Sequence, residues 1–176
     1  MDDPEETREE KREAAREEVI EAIERSTSIY GVKRSYGRLY GILFFAHDPL
    51  SLDELVEESG YAKSTVSDAM STLQRFHMVN RRSKPGEGKR AFFEAETDLW
   101  HVVQEFLQTE IRRETQIMSR ALADAEEQLE AAGADEDLEK VRRLRRLYDQ
   151  TDMLISVLGR VPLDRFMNLV KQLKRE

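Results

Sequence analysis

Ser51-Leu52-Asp53-Glu54-Leu55-Val56-Glu57-Glu58-Ser59-Gly60-Tyr61-Ala62-Lys63-Ser64-Thr65-Val66-Ser67-Asp68-Ala69-Met70-Ser71 is the stretch that decides the fold. Ser51 and Glu54 stand at the N-cap and third position of a capping box, where each side chain answers a backbone N–H that a helix start leaves free. Leu52, Leu55 and Val56 give this short helix one apolar side. Gly60 supplies a stop with positive φ, and a second helix takes over at about Lys63. Along it Val66, Ala69, Met70 and Leu73 recur at three- and four-residue spacing, which makes one buried stripe. Lys63, Ser64, Thr65, Ser67, Asp68 and Ser71 are left for the other side. Small hydroxyls let a helix come close to a groove floor and to phosphates and donate to them. The same residues would also suit a face that meets only water.

Toward the C-terminus, Val79-Asn80-Arg81-Arg82-Ser83 reads as a strand and Lys84-Pro85-Gly86-Glu87-Gly88 as a loop tip. Lys89 through Glu94 returns as a second strand carrying Phe92 and Phe93. Two helices, a tight turn and a basic hairpin follow the order of a winged helix-turn-helix. From Tyr61 to Glu94, seven basic residues (Lys63, Arg75, Arg81, Arg82, Lys84, Lys89, Arg90) stand against Asp68, Glu87 and Glu94, a net charge of +4 in a chain whose formal charge is −8. A local positive excess on a helix and wing inside an acidic protein is the electrostatic footprint of a duplex-DNA binder. Taken alone, a basic hairpin would also serve to keep an edge strand from pairing with other chains.

The block Tyr30-Gly31-Val32-Lys33-Arg34-Ser35-Tyr36-Gly37-Arg38-Leu39-Tyr40-Gly41-Ile42-Leu43, followed by Pro49-Leu50-Ser51-Leu52-Asp53-Glu54-Leu55 and Lys63-Ser64-Thr65-Val66-Ser67, resembles the GbsR subgroup of the MarR-like transcriptional regulators. The likeness runs from about Tyr30 to Leu99. It implies a homodimer on a pseudopalindromic operator in double-stranded DNA, with the helix from Lys63 in the major groove and the Lys84 to Arg90 wing over the adjacent backbone or minor groove. The expected DNA contacts are Lys63, Ser64, Thr65, Ser67, Asp68, Ser71, Arg81, Arg82, Lys84, Lys89 and Arg90. Two residues depart from the pattern. Ala62 stands where relatives often place a serine, so an N-cap oxygen worth about 1 kcal/mol is missing. Asp68 would repel phosphates unless it accepts from a cytosine amino group or pairs with a nearby basic side chain. The resemblance also implies that some relatives respond to choline-like effectors, for which an aromatic cage is the fitting chemistry. Tyr30, Tyr36, Tyr40, Phe44, Trp100 and Phe106 are the candidates for such a pocket, and core packing accounts for them equally well.

The fold class expected is mainly α with a small β-wing, in three parts: residues 1–29 as an N-terminal helix associated with a dimer, 30–96 as the winged DNA-binding domain, and 97–176 as a helical dimerisation region. To Glu24 the first helix has four basic against eleven acidic residues, which disfavours DNA contact. Its acids at Glu5, Glu9 and Glu13 sit three residues before Arg8, Arg12 and Arg16, a spacing that adds a few tenths of a kcal/mol, about 0.2–0.5 per pair. After Thr97, read as an N-cap, a long helix runs to about Ala132 with an apolar seam that includes Val103, Phe106, Ile117 and Leu122. Gly133 ends it. A second helix spans about Asp135 to Leu158, and a last one carries Leu163, Phe166, Leu169 and Leu173. Seams this long cannot be buried on a small winged domain, so intersubunit packing is expected. The basic run Lys140, Arg142, Arg143, Arg145 and Arg146 has acids within helical pairing distance and reads as a solvated face.

With 176 residues, 36% charged and 39% hydrophobic, the composition is that of a helix-rich globular chain. No transmembrane run and no signal-peptide pattern are visible, so a cytoplasmic protein without a membrane partner is expected. Zero cysteines remove disulfides and thiolate metal sites. His47, His77 and His101 are scattered without ligand spacing, and the acids from Asp124 to Glu139 lack the alternating ligands of a calcium loop. No enzyme, metal or cofactor is therefore expected. The rival to a DNA-binding regulator is a winged-helix module that binds proteins, favoured by the global acidity and by Asp68; the cluster of Arg81, Arg82, Lys84, Lys89 and Arg90 beside a hydroxyl-rich helix argues against it.

Overall fold

The structure, a computed structural model, describes residues 4–29 and 31–174, with side chains from Arg8 onward. It divides into two compact units, Met1–Leu99 and Trp100–Glu176. The first unit holds α1 (Pro4–Ile29), α2 (Arg34–Phe45), β1 (Leu50–Ser51), α3 (Leu52–Ser59), α4 (Lys63–Arg75), β2 (Val79–Arg82) and β3 (Phe92–Ala95). This is a winged helix-turn-helix with a small antiparallel sheet of order β1-β3-β2. β1 pairs Leu50 with Phe93 and Ser51 with Phe92, and the wing pairs Val79 with Ala95 through Arg82 with Phe92. The returning strand is shorter than expected because Lys89 and Arg90 belong to the loop. Two-residue β1 has no periodicity for a sequence to show; its position comes from Phe93, which fills the core below it.

That core joins Tyr36, Leu39, Tyr40 and Leu43 of α2, Leu55 of α3, Val66, Ala69, Met70 and Leu73 of α4, Val79 and Phe93. Burying each large side chain in full contributes about 1.5–3 kcal/mol. The capping box is present: Ser51 Oγ accepts from the Glu54 backbone N–H, and the Glu54 carboxylate accepts from the Ser51 N–H at 2.7 Å. Gly60 closes α3 with φ 70°, and its N–H donates to Val56 O.

α1 docks on α2 of the same chain. Their backbones approach at Gly37 and Gly41, one turn apart: a Cβ on Gly37 would lie 2.9 Å from Glu24 Cα, and one on Gly41 3.2 Å from Ile20 Cα. The two glycines of the Gly-Arg-Leu-Tyr-Gly block thus serve close helix packing. Arg38 secures the contact through Glu17 at 2.7 Å. Arg12 pairs with Glu9 as its spacing suggests, but Arg16 donates to Phe45 O at the end of α2, where a cation suits the open carbonyls. The side chain of Glu5 lies outside the described residues.

The second unit takes in α5 (Leu99–Phe106) from Trp100 onward, then a π-helical segment (Leu107–Ile111), α6 (Arg112–Ala132), α7 (Asp135–Leu158) and α8 (Leu163–Leu173). The helix starts at Leu99, two residues after Thr97, and one wider turn interrupts the long run to Ala132. Side chains from the wide turn and from α5 close the end of α7: Gln108 donates to Ile155 O, Gln104 to Leu158 O and Val161 O, and Trp100 Nε1 to Val161 O, at 3.0–3.1 Å. Of these, the bond to Leu158 O meets a carbonyl at the open end of α7, while Ile155 O also accepts from the Gly159 N–H. α6 and α7 pack side by side, and four of the five cations of the basic run are paired: Arg142 and Arg145 meet Glu126 at 2.8 and 2.6 Å, and Lys140 and Arg143 meet acids of their own helix. Among the described residues no helix is long and apolar enough to cross a membrane.

Candidate nucleic-acid interface

The buried stripe of α4 decides which residues it shows. With Val66, Ala69, Met70 and Leu73 in the core, Lys63, Ser64, Ser67, Asp68 and Ser71 are exposed, and Thr65 is half-buried at the edge. Ala62 precedes the helix without a side-chain cap. The wing places Arg81, Arg82, Ser83, Gly88, Lys89 and Arg90 around one open depression of about 490 Å3. Lys84 lies half-buried, its ammonium 4.5 Å from the centre of the Phe92 ring. A hydroxyl-rich helix face and a basic hairpin therefore stand in one unit, as a groove reader and a backbone clamp require.

Several of the cations already have anionic partners. Lys63 donates to Asp53 at 2.7 Å, which holds the Asp53 carboxyl below its usual range. Arg90 donates to Ser51 Oγ at 2.9 Å and lies 3.8 Å from Asp53. Arg82 pairs with Glu94 across the wing at 2.5 Å. Arg81 and Lys89 are exposed and make no ion pair among the described residues. Asp53 links the start of the recognition helix to the end of the wing, a role not visible in its position as an exposed first-turn acid.

Asp68 has the basic partner its place on this face demands. Its Oδ2 accepts from Lys33 Nζ at 2.8 Å and from the Tyr36 hydroxyl at 2.6 Å. Those two bonds, Lys33 first, hold the Asp68 carboxyl below its usual range, and the Lys33 ammonium is raised in turn. Neither Lys33 nor the Tyr36 hydroxyl stood out as part of the interface from sequence; the only signal was an acid on a basic face with no local partner.

The aromatic candidates fall in both units. Tyr30 lies outside the described residues. Tyr36 is buried with its hydroxyl on Asp68, and Tyr40 donates to Glu96 O at 2.8 Å while burial raises its phenol pKa. Phe44 rests against Tyr40 and meets Phe45 edge-on at 5.2 Å. In the second unit Trp100 stacks on Phe166 with ring centres 5.2 Å apart, and Phe106 is partly exposed.

No protein-family model matches the chain. Over 142 residues, 80% of this chain and 78% of the relative, it is 32% identical to the HTH-type transcriptional repressor GbsR of Bacillus subtilis strain 168. Over 97 residues, 55% of this chain and 48% of the relative, it is 28% identical to the repressor OpcR of the same organism. A crystal structure of a transcriptional regulator superposes with a TM-score of 0.59 at 21% identity, covering 83% of this chain and 97% of that one, and shares the fold.

Proposed function

The chain belongs to the GbsR family of MarR-like winged helix-turn-helix transcriptional regulators, and on that premise we propose that it acts in the cytoplasm as a homodimeric repressor that occupies promoter DNA. It is a DNA-binding regulator, and in the proposed complex Lys63, Ser64, Thr65, Ser67 and Ser71 meet the major groove while Arg81, Arg82, Lys84, Lys89 and Arg90 meet the flanking backbone. The observation that carries this is an exposed hydroxyl face on α4 and a basic depression of the wing in the same unit, with Asp53 meeting both Lys63 of α4 and Arg90 of the wing. Dimerisation is supported by the second unit, which leaves Leu147, Met153, Leu154 and Val157 of α7 and Leu163, Leu169 and Leu173 of α8 exposed. Two half-sites about one helical turn apart need two linked readers.

Arg81 and Lys89 are the cleanest probes, since neither holds another part of the protein together. In fluorescence anisotropy at several salt concentrations, Arg81→Ala with Lys89→Ala is expected to weaken binding to promoter and random duplexes by similar factors. The slope of log affinity against log salt should fall by roughly two to four units per dimer. Unchanged affinity and slope would remove the wing from the interface.

A further inference from the structure

The recognition face extends beyond α4 and the wing. Lys33 is the residue immediately before α2, and 66% of its side chain is exposed, yet its ammonium has an anionic partner. It donates to Asp68 at 2.8 Å and lies 5.4 Å from the centre of the Tyr36 ring. Tyr36 donates to the same carboxylate oxygen at 2.6 Å, so Asp68 Oδ2 gathers two donors from the start of α2. Asp68 neighbours Ser67 and precedes Ser71 by three residues, just under one helical turn, so whatever holds its carboxylate lies along the flank of the same exposed face. A duplex seated on Ser67 and Ser71 would bring a phosphate strand past that flank. An ammonium has three N–H donors, and the bond to Asp68 occupies one of them.

We infer that Lys33 is a further DNA-contacting residue, carried to the flank of the recognition helix by Asp68 and Tyr36, and that Asp68 is a positioning residue acting through Lys33 rather than a reader of bases. The inference rests on the DNA-binding reading above and adds a third basic element to it. It changes what an acid on a basic face is for: the carboxylate orders a flexible lysine before DNA arrives, and a lysine already ordered loses less freedom when it binds. Tyr36 shares the task, because its hydroxyl fixes the oxygen to which Lys33 is bound.

The test is a set of full-length variants titrated with duplex DNA of randomised sequence, with the bound fraction sequenced and affinity measured over a range of salt. Lys33→Met is expected to lower affinity several-fold, about equally for preferred and random duplexes, and to reduce the salt slope by about one unit per protomer. Lys33→Arg should restore most of it. Asp68→Asn and Tyr36→Phe should cause smaller losses of the same kind and leave the base preferences of the selected pool unaltered. In an Asp68→Asn background, Lys33→Met should still lower affinity and slope; disappearance of its effect there would mean that the lysine only masks the carboxylate, and would overturn the proposal. A change of preferred base pair in Asp68→Asn would overturn it equally, by making Asp68 a base reader. The DNA-binding reading is checked separately by the wild type and by Lys89→Ala, so a wild type that ignores DNA and a Lys33→Met that binds like wild type are different failures.

Discussion

The two units bury their apolar residues in opposite ways. In the first, Leu39, Leu55, Val66, Met70 and Phe93 from four elements are all closed off from water. In the second, Leu122, Leu138 and Ile155 are buried, while Leu147 and Leu154 remain 57% and 62% exposed. The sequences are similarly apolar along their periodic stripes, so the difference lies in what covers them. A helix stripe facing a sheet and two other helices is satisfied within its own chain; a stripe on a helix pair has a second side still in water. The first unit closes its core within its own chain, and the helical unit leaves an apolar face on α7 and α8 exposed, the face that the proposed homodimer would cover.

The largest expected effect separates these two kinds of stripe. Leu154→Asp places a charge on the uncovered side of α7, and a twofold interface counts it twice, so a loss of about 3–6 kcal/mol of association is expected from two large apolar side chains. Sedimentation should show monomer, operator affinity should collapse, and circular dichroism should still report helix. Leu122→Asp is a poorer probe because Leu122 is buried within its own chain and its loss would disturb α6 against α7 directly. Wild type sedimenting as a monomer at micromolar concentration with operator binding intact would break the contrast between the units.

In the closed core, Leu55→Ala removes a side chain with no exposed surface and should destabilise the first unit by about 2–5 kcal/mol, read by denaturant melting. Its effect should be independent of protein concentration. The melting point of a variant in the helical unit should instead depend on concentration, because stability there is linked to association.

Much of this was legible because each signal was local. Ser51, Glu54 and Gly60 mark helix ends by chemistry that acts within four residues, and Val66, Ala69, Met70 and Leu73 repeat often enough to define a face. What was not legible depends on residues distant in sequence. The role of Gly37 and Gly41 needs α1 laid across them. Arg16 has Glu13 at pairing distance and uses Phe45 O instead. Asp68 was recognisably in need of a cation, but Lys33 is thirty-five residues away and nothing in spacing connects them. The wide turn at Leu107–Ile111 leaves the apolar period almost undisturbed, and Gln104 and Gln108 look like ordinary solvated residues until the end of α7 is beside them.

Gly37 gives a prediction of intermediate size. A methyl group there would meet Thr27 Oγ1 at 2.5 Å and the α1 backbone at 2.9 Å, so α1 and α2 would have to separate. Overpacking of this sort costs about 1–3 kcal/mol. Gly37→Ala is expected to lower the melting temperature and to raise amide exchange along α1, since that helix can move away while the core of α2, α3 and α4 stays closed. A variant as stable as wild type would mean that α1 can sit further out at no cost.

The smallest effect concerns charge and tells whether the ties on the recognition face are electrostatic. Pairing holds the carboxyls of Asp53 and Asp68 below their usual range, through Lys63 in one case and through Lys33 and Tyr36 in the other. A carboxyl whose folded pKa is depressed contributes stability that is complete above its unfolded pKa, about 3.9 for Asp, and is lost as pH falls through the lower folded value. Both side chains are more than half exposed, so water and salt screen the pairs and each contribution is small. Asp68→Asn should therefore melt slightly below wild type at about pH 6, and the two curves should converge as pH falls through the carboxylate range. Raising the salt concentration at about pH 6 should narrow the same gap, because an exposed ion pair is screened within about 10 Å at 0.1 M. A gap that persists in acid and in high salt would show that Asp68 is held by shape and neutral hydrogen bonding, with Tyr36 rather than Lys33 as the partner that matters.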